Sequence, residues 1–386
     1  MQPYTTITAS IFTRQPLKSL YITLTLLTLP LRLFLAIIYY LPTLTRQHPR
    51  WTLRQAVGTA VLRAFFKYSV AVEHREPGTL KPGRLGKCFI TISPSTRTPS
   101  PYTGIVLTVP DITPLPLGAI WYPSPPTTTP ELLAIHLHGG AYIGGSARPP
   151  DGSFGPKLLA KHLGCPVLVS EYRLSTEPHS SFPAALQDAI STYSYALHTL
   201  GVAPENIVIS GDSAGGHLTL SLLRYIAETG ALPAPRAALL WSPWVDLTVD
   251  PATVDSKAHA GTDYVFGGLV AWGIRQFVPK GWDTGHPYIS HLGNGFKTET
   301  ALFVQTCEEE LLLEDNLKFA EEMRECGNEV ELLKVADAPH DIFAAGMVLG
   351  FAKEASKMVA RAAGFVREIG GEGEGGGEGE DGVVVG

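Results

Sequence analysis

A Gly-Asp-Ser-Ala-Gly turn at residues 211–215 constrains the fold of this chain more than any other stretch. The turn lies between an apolar, β-branched run at 207–209 and a helix-compatible run at 217–228. A G-x-S-x-G turn of this kind raises a serine hydroxyl above a sheet, and its glycines are needed because a Cβ would clash with the neighbouring strand or helix. The N–H of Ala214 opens the helix and can face a developing oxyanion. The turn therefore predicts that Ser213 is a nucleophile.

From residue 131 onward, strand-like and helix-like patterns alternate along the chain. Strands are predicted at 132–137, 166–170, 237–240, 301–305 and 330–335, and helices at 184–200, 314–326 and 344–363. Alternation of this kind implies an α/β fold whose mostly parallel sheet is covered by helices on both faces. Residues 76–130, which are rich in Pro, Thr and Gly, are typical of an antiparallel edge of such a sheet.

A serine nucleophile needs a histidine that takes its proton and an acid that orients the histidine. The partners of such a turn follow it in the chain, the acid first and the histidine last. Of the twelve histidines, only His340 lies beyond residue 291, in a loop after a predicted strand. His217 is nearer to Ser213 in sequence, but it lies on the helix of the turn and is expected to pack or to point away. His340 is therefore the predicted base.

The acid is predicted in a stretch rich in carboxylates that follows a late strand. Two of its five carboxylates, Glu314 and Asp315, fall at the start of the next helix, where they stabilise the helix dipole without any catalytic role. The other three lie in the loop, so the residues alone leave the choice open among Glu308, Glu309 and Glu310.

A second loop must supply backbone N–H groups for the oxyanion. The sequence His-Gly-Gly-Ala at 138–141 follows an early predicted strand, and its glycines let the backbone approach a substrate carbonyl closely. Losing one such donor typically costs ~10²–10³ in rate. The glycine pair is a weak signal alone, but together with the turn at Ser213 and a late histidine it predicts an acyl-transfer site.

The N-terminal part of the chain contains a hydrophobic segment at residues 19–45, preceded by polar residues 1–18. The segment is long enough to cross a bilayer. However, Arg32 lies near its middle, where a charge costs ~2.5–3.5 kcal/mol, and Pro30 should kink a helix. A membrane span and an interfacial or re-entrant anchor both remain open, and a helix that caps a substrate cleft is the alternative without a membrane. No small-residue cleavage site follows, which argues against a removable signal peptide.

The remaining stretches are predicted to belong to one catalytic domain at residues 46–368 and a tail. A stretch at 46–75, which contains an amphipathic helix predicted at 51–75, and an aromatic insertion at 250–295 are expected to form a cap, although the insertion also suits a plain surface excursion. The Gly- and Glu-rich residues 369–386 cannot bury enough surface to fold and are expected to be disordered.

Composition limits the partners of the chain. Its 386 residues are ample for a large core, and the net charge of −6 argues against a nucleic-acid partner. The four cysteines show no C-x-x-C spacing, so buried free thiols are expected and no disulfide framework is implied for Cys88, Cys165, Cys307 and Cys326.

These motifs together resemble the hormone-sensitive-lipase branch of the α/β-hydrolase family. The match rests on His-Gly-Gly-Ala-Tyr at 138–142, Tyr-Arg-Leu at 172–174, Phe-Pro-Ala-Ala-Leu-Gln-Asp at 182–188, Gly-Asp-Ser-Ala-Gly-Gly at 211–216, Ser-Pro-Trp-Val-Asp-Leu at 242–247 and the last histidine. The resemblance covers roughly residues 131–350 well and residues 50–130 loosely, and it implies the α/β-hydrolase fold.

The resemblance also implies roles for individual residues. The family's acid pattern Asp-x-Leu-x-Asp, laid on residues 310–314, points to Glu310, which is one methylene longer than the usual Asp. In place of the usual third glycine of the oxyanion loop, this chain has Ala141. The resemblance implies no metal and no organic cofactor, and it maps the oxyanion donors onto Gly139, Gly140 and Ala214.

The implied activity is that of a serine carboxylesterase or deacetylase acting on short or medium acyl esters of a lipophilic alcohol. An apolar segment before such a domain resembles the membrane-anchored fungal steryl-acetate and arylacetamide deacetylases, which implies the endoplasmic reticulum membrane and leaves the side open. Amide cleavage by the same triad is one alternative. A non-catalytic small-molecule receptor is another, although the plant hormone receptors of this family lack the histidine that this chain keeps as His340.

Overall fold

Nine strands form one sheet within the described part of this computed structural model, which comprises residues 10–75, 78–371 and 384–385. The strands are β1 Phe89–Ile92, β2 Leu117–Tyr122, β3 Leu133–Leu137, β4 Val167–Glu171, β5 Ile207–Asp212, β6 Ala237–Trp241, β7 Ala301–Cys307, β8 Val330–Val335 and β9 Val384–Val385. Their order across the sheet is β1-β2-β4-β3-β5-β6-β7-β8-β9. β2 is antiparallel to both of its neighbours, whereas the pairings from β4 to β9 are parallel. The predicted mostly parallel sheet with an antiparallel edge is therefore confirmed.

Helices cover both faces of this sheet, as the alternating pattern predicts. The described residues form α1 Leu17–Tyr40, α2 Leu53–Val72, α3 Phe154–Leu163, α4 Ala184–His198, α5 Ala214–Thr229, α6 Pro251–Val254, α7 Gly267–Phe277, α8 Leu313–Glu325, α9 Ile342–Leu349 and α10 Ala352–Ile369. Successive residues of a strand point to opposite faces. In β6, Leu239 packs in a cluster with Phe365 of α10. The next residue, Leu240, packs in a second cluster with Leu220 of α5 and Phe319 of α8.

The carboxyl ends of three central strands lie level with one another. Leu137 of β3 pairs with Gly211 of β5, and Asp212 of β5 pairs with Trp241 of β6. Because these strands are parallel, the loops that follow them open at the same edge of the sheet. The turn at Ser213 and the loop after β3 are thereby brought together.

The end of the catalytic domain differs from the prediction of one helix over residues 344–363. The structure contains two helices there, α9 and α10, separated by Gly350. Gly350 has a φ of +85°, a left-handed conformation that ends a helix and that residues with a Cβ rarely adopt. The prediction of one continuous helix is therefore wrong, and the break lets α9 contact α2 while α10 covers β7 and β8.

α1 and α2 form a helical hairpin at the start of the described chain. α2 accounts for most of the amphipathic helix predicted at 51–75, and reciprocal hydrogen bonds between Thr52 and Gln55 cap its first turn. Tyr21 of α1 stacks on Tyr68 of α2, with ring centroids 6.2 Å apart. In the described structure none of the 24 residues of α1 is buried. The length and apolar composition of α1 suffice to cross a membrane, and a signal sequence would share both properties.

Two further sequence predictions concern the cysteines and the chain ends. The cysteines are free, as expected, but only Cys165 and Cys307 are buried, so the expectation of burial is wrong for Cys88 and Cys326, which are partly exposed. Most of the predicted tail at 369–386 lies outside the described residues, as do residues 1–9 of the polar N-terminus, so the disorder of the tail stays a prediction.

Candidate active site

Ser213 occupies the turn between β5 and α5. Its φ of 48° is uncommon for a residue with a side chain, so the surrounding packing must hold the turn in place. A Cβ on Gly211 would lie 2.2 Å from the carbonyl oxygen of Gly215, and a Cβ on Gly215 would lie 1.9 Å from that of Leu137. The N–H of Ser213 donates to the carbonyl oxygen of Trp241 at 2.8 Å. Both glycines of the turn are therefore required by its close approach to the neighbouring backbone.

Ser213, His340 and Glu310 lie within hydrogen-bond distance of one another in series. The distance from Ser213 Oγ to His340 Nε2 is 3.0 Å, and the distance from His340 Nδ1 to Glu310 Oε2 is 2.8 Å. They stand in the loops that follow β5, β8 and β7, respectively. His340 and Glu310 are buried, whereas Ser213 lines a cavity. The structure thus brings together the three residues that the sequence singles out.

Glu310 is buried among groups that favour its charged form. Its Oε1 accepts hydrogen bonds from Thr306 Oγ1, from the N–H of Cys307 at 3.0 Å and from Asn316 Nδ2 at 3.4 Å. Burial by itself would raise the pKa of Glu310. The hydrogen bond and charge of His340, together with the bonds from Thr306 and Cys307, instead lower that pKa. Glu310 therefore faces His340 as a carboxylate.

The contact that lowers the pKa of Glu310 raises the pKa of His340. Burial would lower the pKa of His340, but the hydrogen bond and charge of Glu310, with the charges of Asp263 and Asp212, raise it above the ordinary 6.5. A carboxylate can only accept, so Nδ1 carries a proton. In the neutral ring Nε2 then presents a lone pair to the hydroxyl of Ser213.

The glutamates next to Glu310 have other partners. Glu308 Oε1 lies 3.0 Å from Lys334 Nζ, and the hydrogen bond from Lys334 lowers the pKa of Glu308. Glu309 Oε2 lies 3.2 Å from His259 Nδ1. Of the three loop carboxylates, Glu310 is the one whose side chain contacts His340.

His217 packs inside the protein, as expected, and does not contact Ser213 through its ring. Its Nδ1 lies 2.6 Å from Tyr142 Oη, and its Nε2 lies 2.9 Å from the carbonyl oxygen of Ile289. Because a carbonyl can only accept, Nε2 carries the proton and Tyr142 donates to Nδ1. Burial lowers the pKa of His217 to about 4, so the ring stays neutral. His217 thereby fixes Tyr142 at the end of the oxyanion loop.

The loop after β3 presents backbone N–H groups, but these are not the set that the resemblance implies. The N–H of Gly139 donates to Asp212 Oδ2 at 2.8 Å, so it is not free to bind an oxyanion. The N–H groups of Gly140, Ala141 and Ala214 have no hydrogen-bond partner among the described residues. Gly140 and Ala141 have φ angles of 111° and 52°, respectively. The expectation for Gly139 is therefore corrected: Ala141, not Gly139, has a free donor.

Buried polar groups that the sequence does not single out hold Asp212. Its Oδ1 lies 3.0 Å from His136 Nε2, and His136 Nδ1 lies 3.0 Å from Ser210 Oγ. Burial, the charge of Asp212 and a hydrogen bond between the two side chains raise the pKa of the adjacent Asp341 well above its usual range. The sequence offers one signal for this network, which is that Asp212 directly precedes Ser213 in the turn. The contact between Asp212 and His136 could not be predicted from the sequence, because it depends on the pairing of β3 with β5.

An apolar cavity of about 300 Å³ opens beside Ser213 and His340. Its lining combines α2, α7 and α9, with Leu62, Phe66, Leu269, Trp272, Phe343 and Val348 among the contributing side chains. Both elements that the sequence assigns to a cap, at 46–75 and 250–295, therefore line the cavity. No described residue of α1 does so, which contradicts the alternative of the apolar segment as a helix over the cleft. Such a cavity suits a small molecule with an apolar body and one polar reacting group.

A family profile described as "alpha/beta hydrolase fold" matches residues 134–344, which is more than half of the chain. The chain belongs to the α/β-hydrolase family. Over 181 residues this α/β-hydrolase is 32% identical to an acetyl-hydrolase of Streptomyces hygroscopicus, an alignment that covers 47% of this chain and 58% of the relative. Over 248 residues it is 27% identical to an ethyl acetate hydrolase of Pseudomonas putida, with 62% of this chain and 75% of the relative covered.

Another relative and a solved structure indicate to which type of α/β-hydrolase the chain is similar. It is 41% identical over 126 residues to LipR of Mycobacterium tuberculosis, 33% of this chain and 39% of LipR. The chain thus spans less than two thirds of LipR and of the Streptomyces relative. The crystal structure of a hormone-sensitive lipase from a metagenome library matches with a TM-score of 0.56 at 27% identity, covering 66% of this chain and 82% of that one. The hormone-sensitive-lipase type implied by the motifs is therefore confirmed.

A fungal relative also matches this α/β-hydrolase. An AB hydrolase superfamily protein of Schizosaccharomyces pombe is 25% identical over 223 residues, which cover 56% of this chain and 64% of the relative. The likeness agrees with the resemblance to fungal proteins of this type, although it names no substrate.

Two of the motifs shared with the family, at residues 172–174 and 182–188, pack beneath the site of this α/β-hydrolase without containing its proposed catalytic residues. Arg173 Nη2 lies 2.8 Å from Asp188 Oδ1, and Arg173 Nε lies 3.0 Å from Asp188 Oδ2, so the buried carboxylate is paired in a bidentate way. Tyr172 Oη donates to the carbonyl oxygen of His138 at 2.6 Å, and the two rings stack with centroids 4.3 Å apart. Tyr172 thereby fixes the start of the oxyanion loop, and Arg173 ties the end of β4 to Asp188 of α4.

Proposed function

We propose that this α/β-hydrolase is a serine carboxylesterase that removes short acyl groups from esters of a lipophilic alcohol. The proposal rests on two contacts beside an apolar cavity. Ser213 Oγ lies 3.0 Å from His340 Nε2, and His340 Nδ1 lies 2.8 Å from Glu310 Oε2. A serine, a neutral histidine and a carboxylate in this geometry can activate the hydroxyl for acyl transfer. We assign Ser213 as the nucleophile, His340 as the base and Glu310 as the acid.

In the first half of the reaction, His340 Nε2 takes the proton of Ser213 while Oγ bonds to the ester carbonyl carbon. The negative charge that develops on the carbonyl oxygen is stabilised by the free N–H groups of Gly140, Ala141 and Ala214. The carbon–oxygen bond to the alcohol then breaks, and the imidazolium returns the proton to the departing alkoxide. Glu310 stabilises the imidazolium throughout.

In the second half, water replaces the alcohol. His340 Nε2 takes a proton from the water as its oxygen bonds to the acyl carbon, and the same three N–H groups hold the second oxyanion. When the bond between the acyl carbon and Ser213 Oγ breaks, the proton passes from His340 to Oγ. The carboxylic acid leaves, and the free serine is restored.

The substrate class rests on the cavity and on the relatives. The lining side chains are apolar, which favours an apolar alcohol. Two relatives are named for acetyl and ethyl acetate hydrolysis, which favours short acyl groups such as acetyl. A panel of p-nitrophenyl esters of increasing acyl length, with p-nitroacetanilide as the matched amide, tests both the acyl length and the preference for esters.

The decisive variant is Ser213→Ala. We expect turnover of p-nitrophenyl acetate to fall by about 10⁴-fold or more, since removal of a triad nucleophile has effects of this size. Ser256→Ala, an exposed serine outside the site, is the matched control and should behave as the unchanged protein does. Retained turnover in Ser213→Ala would contradict the assignment.

Covalent labelling separates the enzyme from a non-catalytic receptor on the same fold. A fluorophosphonate probe should label the unchanged protein at Ser213 and should fail to label Ser213→Ala. A folded protein that binds apolar esters but never takes up the probe would favour the receptor.

We also propose that α1 anchors the protein to a membrane, at the endoplasmic reticulum by resemblance to the fungal deacetylases. Most of its 24 residues are apolar, and none of them is buried in the described structure, although a signal sequence would have the same length and composition. Alkaline extraction of microsomes, followed by N-terminal sequencing, tests this. An anchored protein stays in the pellet with α1 intact, whereas a soluble protein whose N-terminus lies beyond Tyr40 would contradict the proposal.

A further inference from the structure

Exposed apolar side chains stand around the mouth of the cavity. On α2, Val61 and Phe65 are 40% and 51% exposed, and on α9, Met347 and Val348 are 56% and 57% exposed. Phe65 and Val348 also line the cavity beside Ser213. Large apolar groups that border both solvent and a binding cavity typically mark a surface that contacts another apolar phase. We call these four residues the rim: Phe65 and Val348 line the cavity, and Val61 and Met347 lie beside them on the same helices.

The rim is one continuous surface because α2 and α9 pack closely. A Cβ on Gly58 of α2 would lie 2.6 Å from the carbonyl oxygen of Val348, so only a glycine allows this approach. Arg54 Nη2, one turn earlier on α2, donates to the carbonyl oxygen of Met347 at 2.9 Å. The α2 half and the α9 half of the rim are therefore held side by side.

The rim adjoins the apolar helix α1. Val61, Phe65 and Tyr68 are spaced by four and three residues and so share one face of α2. Tyr68 carries the contact with Tyr21 of α1. Arg46 fixes the other end of α1. Its Nε and Nη2 donate at 3.1 Å to the carbonyl oxygens of Tyr40 and of Leu41, the residue after the helix, and its Nη1 donates to the carbonyl oxygen of Trp51. A membrane that holds α1 would therefore lie next to the rim.

The first 72 residues, which include α1 and α2, differ from the rest of the chain in their charge. The first 72 residues contain eight Lys or Arg and no Asp or Glu, so all 36 acidic residues of the chain follow from Glu73 onward. A cationic, apolar region is attracted to the anionic headgroups of a membrane surface, whereas the acidic domain is repelled by them. The charge distribution thus turns the N-terminal hairpin and the rim toward lipid.

We propose that the rim sits in the interface of a lipid bilayer, and that the ester passes from the lipid directly into the cavity without crossing water. The proposal rests on the esterase function proposed above and names the physical source of its substrate, an acyl ester dissolved in a membrane. Phe65 and Val348, which line the cavity, would contact the apolar alcohol on its way to Ser213, whereas the exposed parts of Val61 and Met347 would contact lipid and not the substrate.

The test compares a membrane-dissolved ester with a water-soluble one. The full chain is reconstituted in vesicles of phosphatidylcholine with phosphatidylserine, and turnover of hexadecyl acetate is measured beside that of p-nitrophenyl acetate. Val61→Ser combined with Met347→Ser removes lipid contacts outside the cavity. We expect hexadecyl acetate turnover to fall about tenfold, since two apolar side chains leave the lipid, while p-nitrophenyl acetate turnover is unchanged.

Two control variants show whether any loss is specific to the rim. Leu107→Ser with Leu115→Ser, two exposed leucines far along the chain from α2 and α9, should change neither rate. Met347→Leu should retain both. Equal losses on the two esters, or no loss on either, in Val61→Ser/Met347→Ser would overturn the proposal. An unchanged protein that hydrolyses neither ester would instead refute the esterase function.

Discussion

Asp212 Oδ2 accepts a hydrogen bond from the N–H of Gly139 at 2.8 Å, so the residue before Ser213 holds the first peptide of the oxyanion loop. The contact also explains why residue 139 is a glycine, since a Cβ there would lie 2.2 Å from the same carboxylate oxygen. The turn at Ser213 and the oxyanion loop are therefore linked directly by this hydrogen bond. Loss of this contact is expected to displace the N–H donors of Gly140 and Ala141 while leaving the position of Ser213 unchanged.

Asp212→Ala tests this relationship. The variant leaves the N–H of Gly139 without its acceptor and His136 without its neighbour. We expect kcat for p-nitrophenyl acetate to fall by about 10–100-fold, because a loop displaced by about 1 Å misplaces the oxyanion donors, while KM changes little. Fluorophosphonate labelling of Ser213 should still go to completion.

The conservative variant Asp212→Asn separates the hydrogen bond from the charge. Its side-chain oxygen can still accept from Gly139, so kcat should stay within about tenfold of the unchanged value. If the alanine and asparagine variants lose the same activity, the charge of Asp212 matters and the bond to Gly139 does not.

Ala141→Gly should stabilise the protein. Ala141 has a φ of 52°, and a left-handed conformation costs an L-residue roughly 1–2 kcal/mol, part of which a glycine gives back as lost chain entropy. We expect the free energy of unfolding to rise by up to about 1 kcal/mol with activity retained, measured by thermal unfolding. Gly140→Ala is the opposite case, because its Cβ would lie 2.2 Å from the carbonyl oxygen of Gly144. A loss of stability in Ala141→Gly would contradict the assignment of strain.

Glu310→Gln should leave the fold intact and remove most of the activity. An amide cannot stabilise the imidazolium and can hold His340 in the wrong tautomer, so kcat should fall by about 10²–10⁴-fold. Glu308→Gln is the matched control from the same loop, since Glu308 pairs with Lys334 at the surface. Equal kcat values in the two variants would exclude Glu310 as the acid.

The sequence predicts the elements of the sheet well because alternation and chain order are local properties. The turn at 211–215, the late position of His340 and the carboxylates after the strand at 301–305 restrict the candidates for the site to a few residues. The choice of Glu310 needs the resemblance. Its neighbours differ from it only in which way their side chains point, and that depends on the loop.

The mistaken expectation for Gly139 and the unforeseen network around Asp212 have a common cause, which is contact between distant segments. Gly139 is adjacent to His138 in a glycine-rich loop, and nothing local shows that its N–H is bound by Asp212, 73 residues away. The network through His136 likewise depends on the pairing of β3 with β5. The break at Gly350 is a local signal, but the apolar periodicity on either side of it predicts one helix.

The pH dependence of the reaction should follow His340. Its pKa is raised above 6.5 by Glu310, and the base works only when Nε2 is unprotonated. kcat/KM for p-nitrophenyl acetate should therefore fall as the pH drops through a value above 6.5. In Glu310→Gln the charge that raises this pKa is absent, so the residual activity should decline only at lower pH. Glu308→Gln should keep the profile of the unchanged protein, and an acid limb that stays in place in Glu310→Gln would show that Glu310 does not set the basicity of His340.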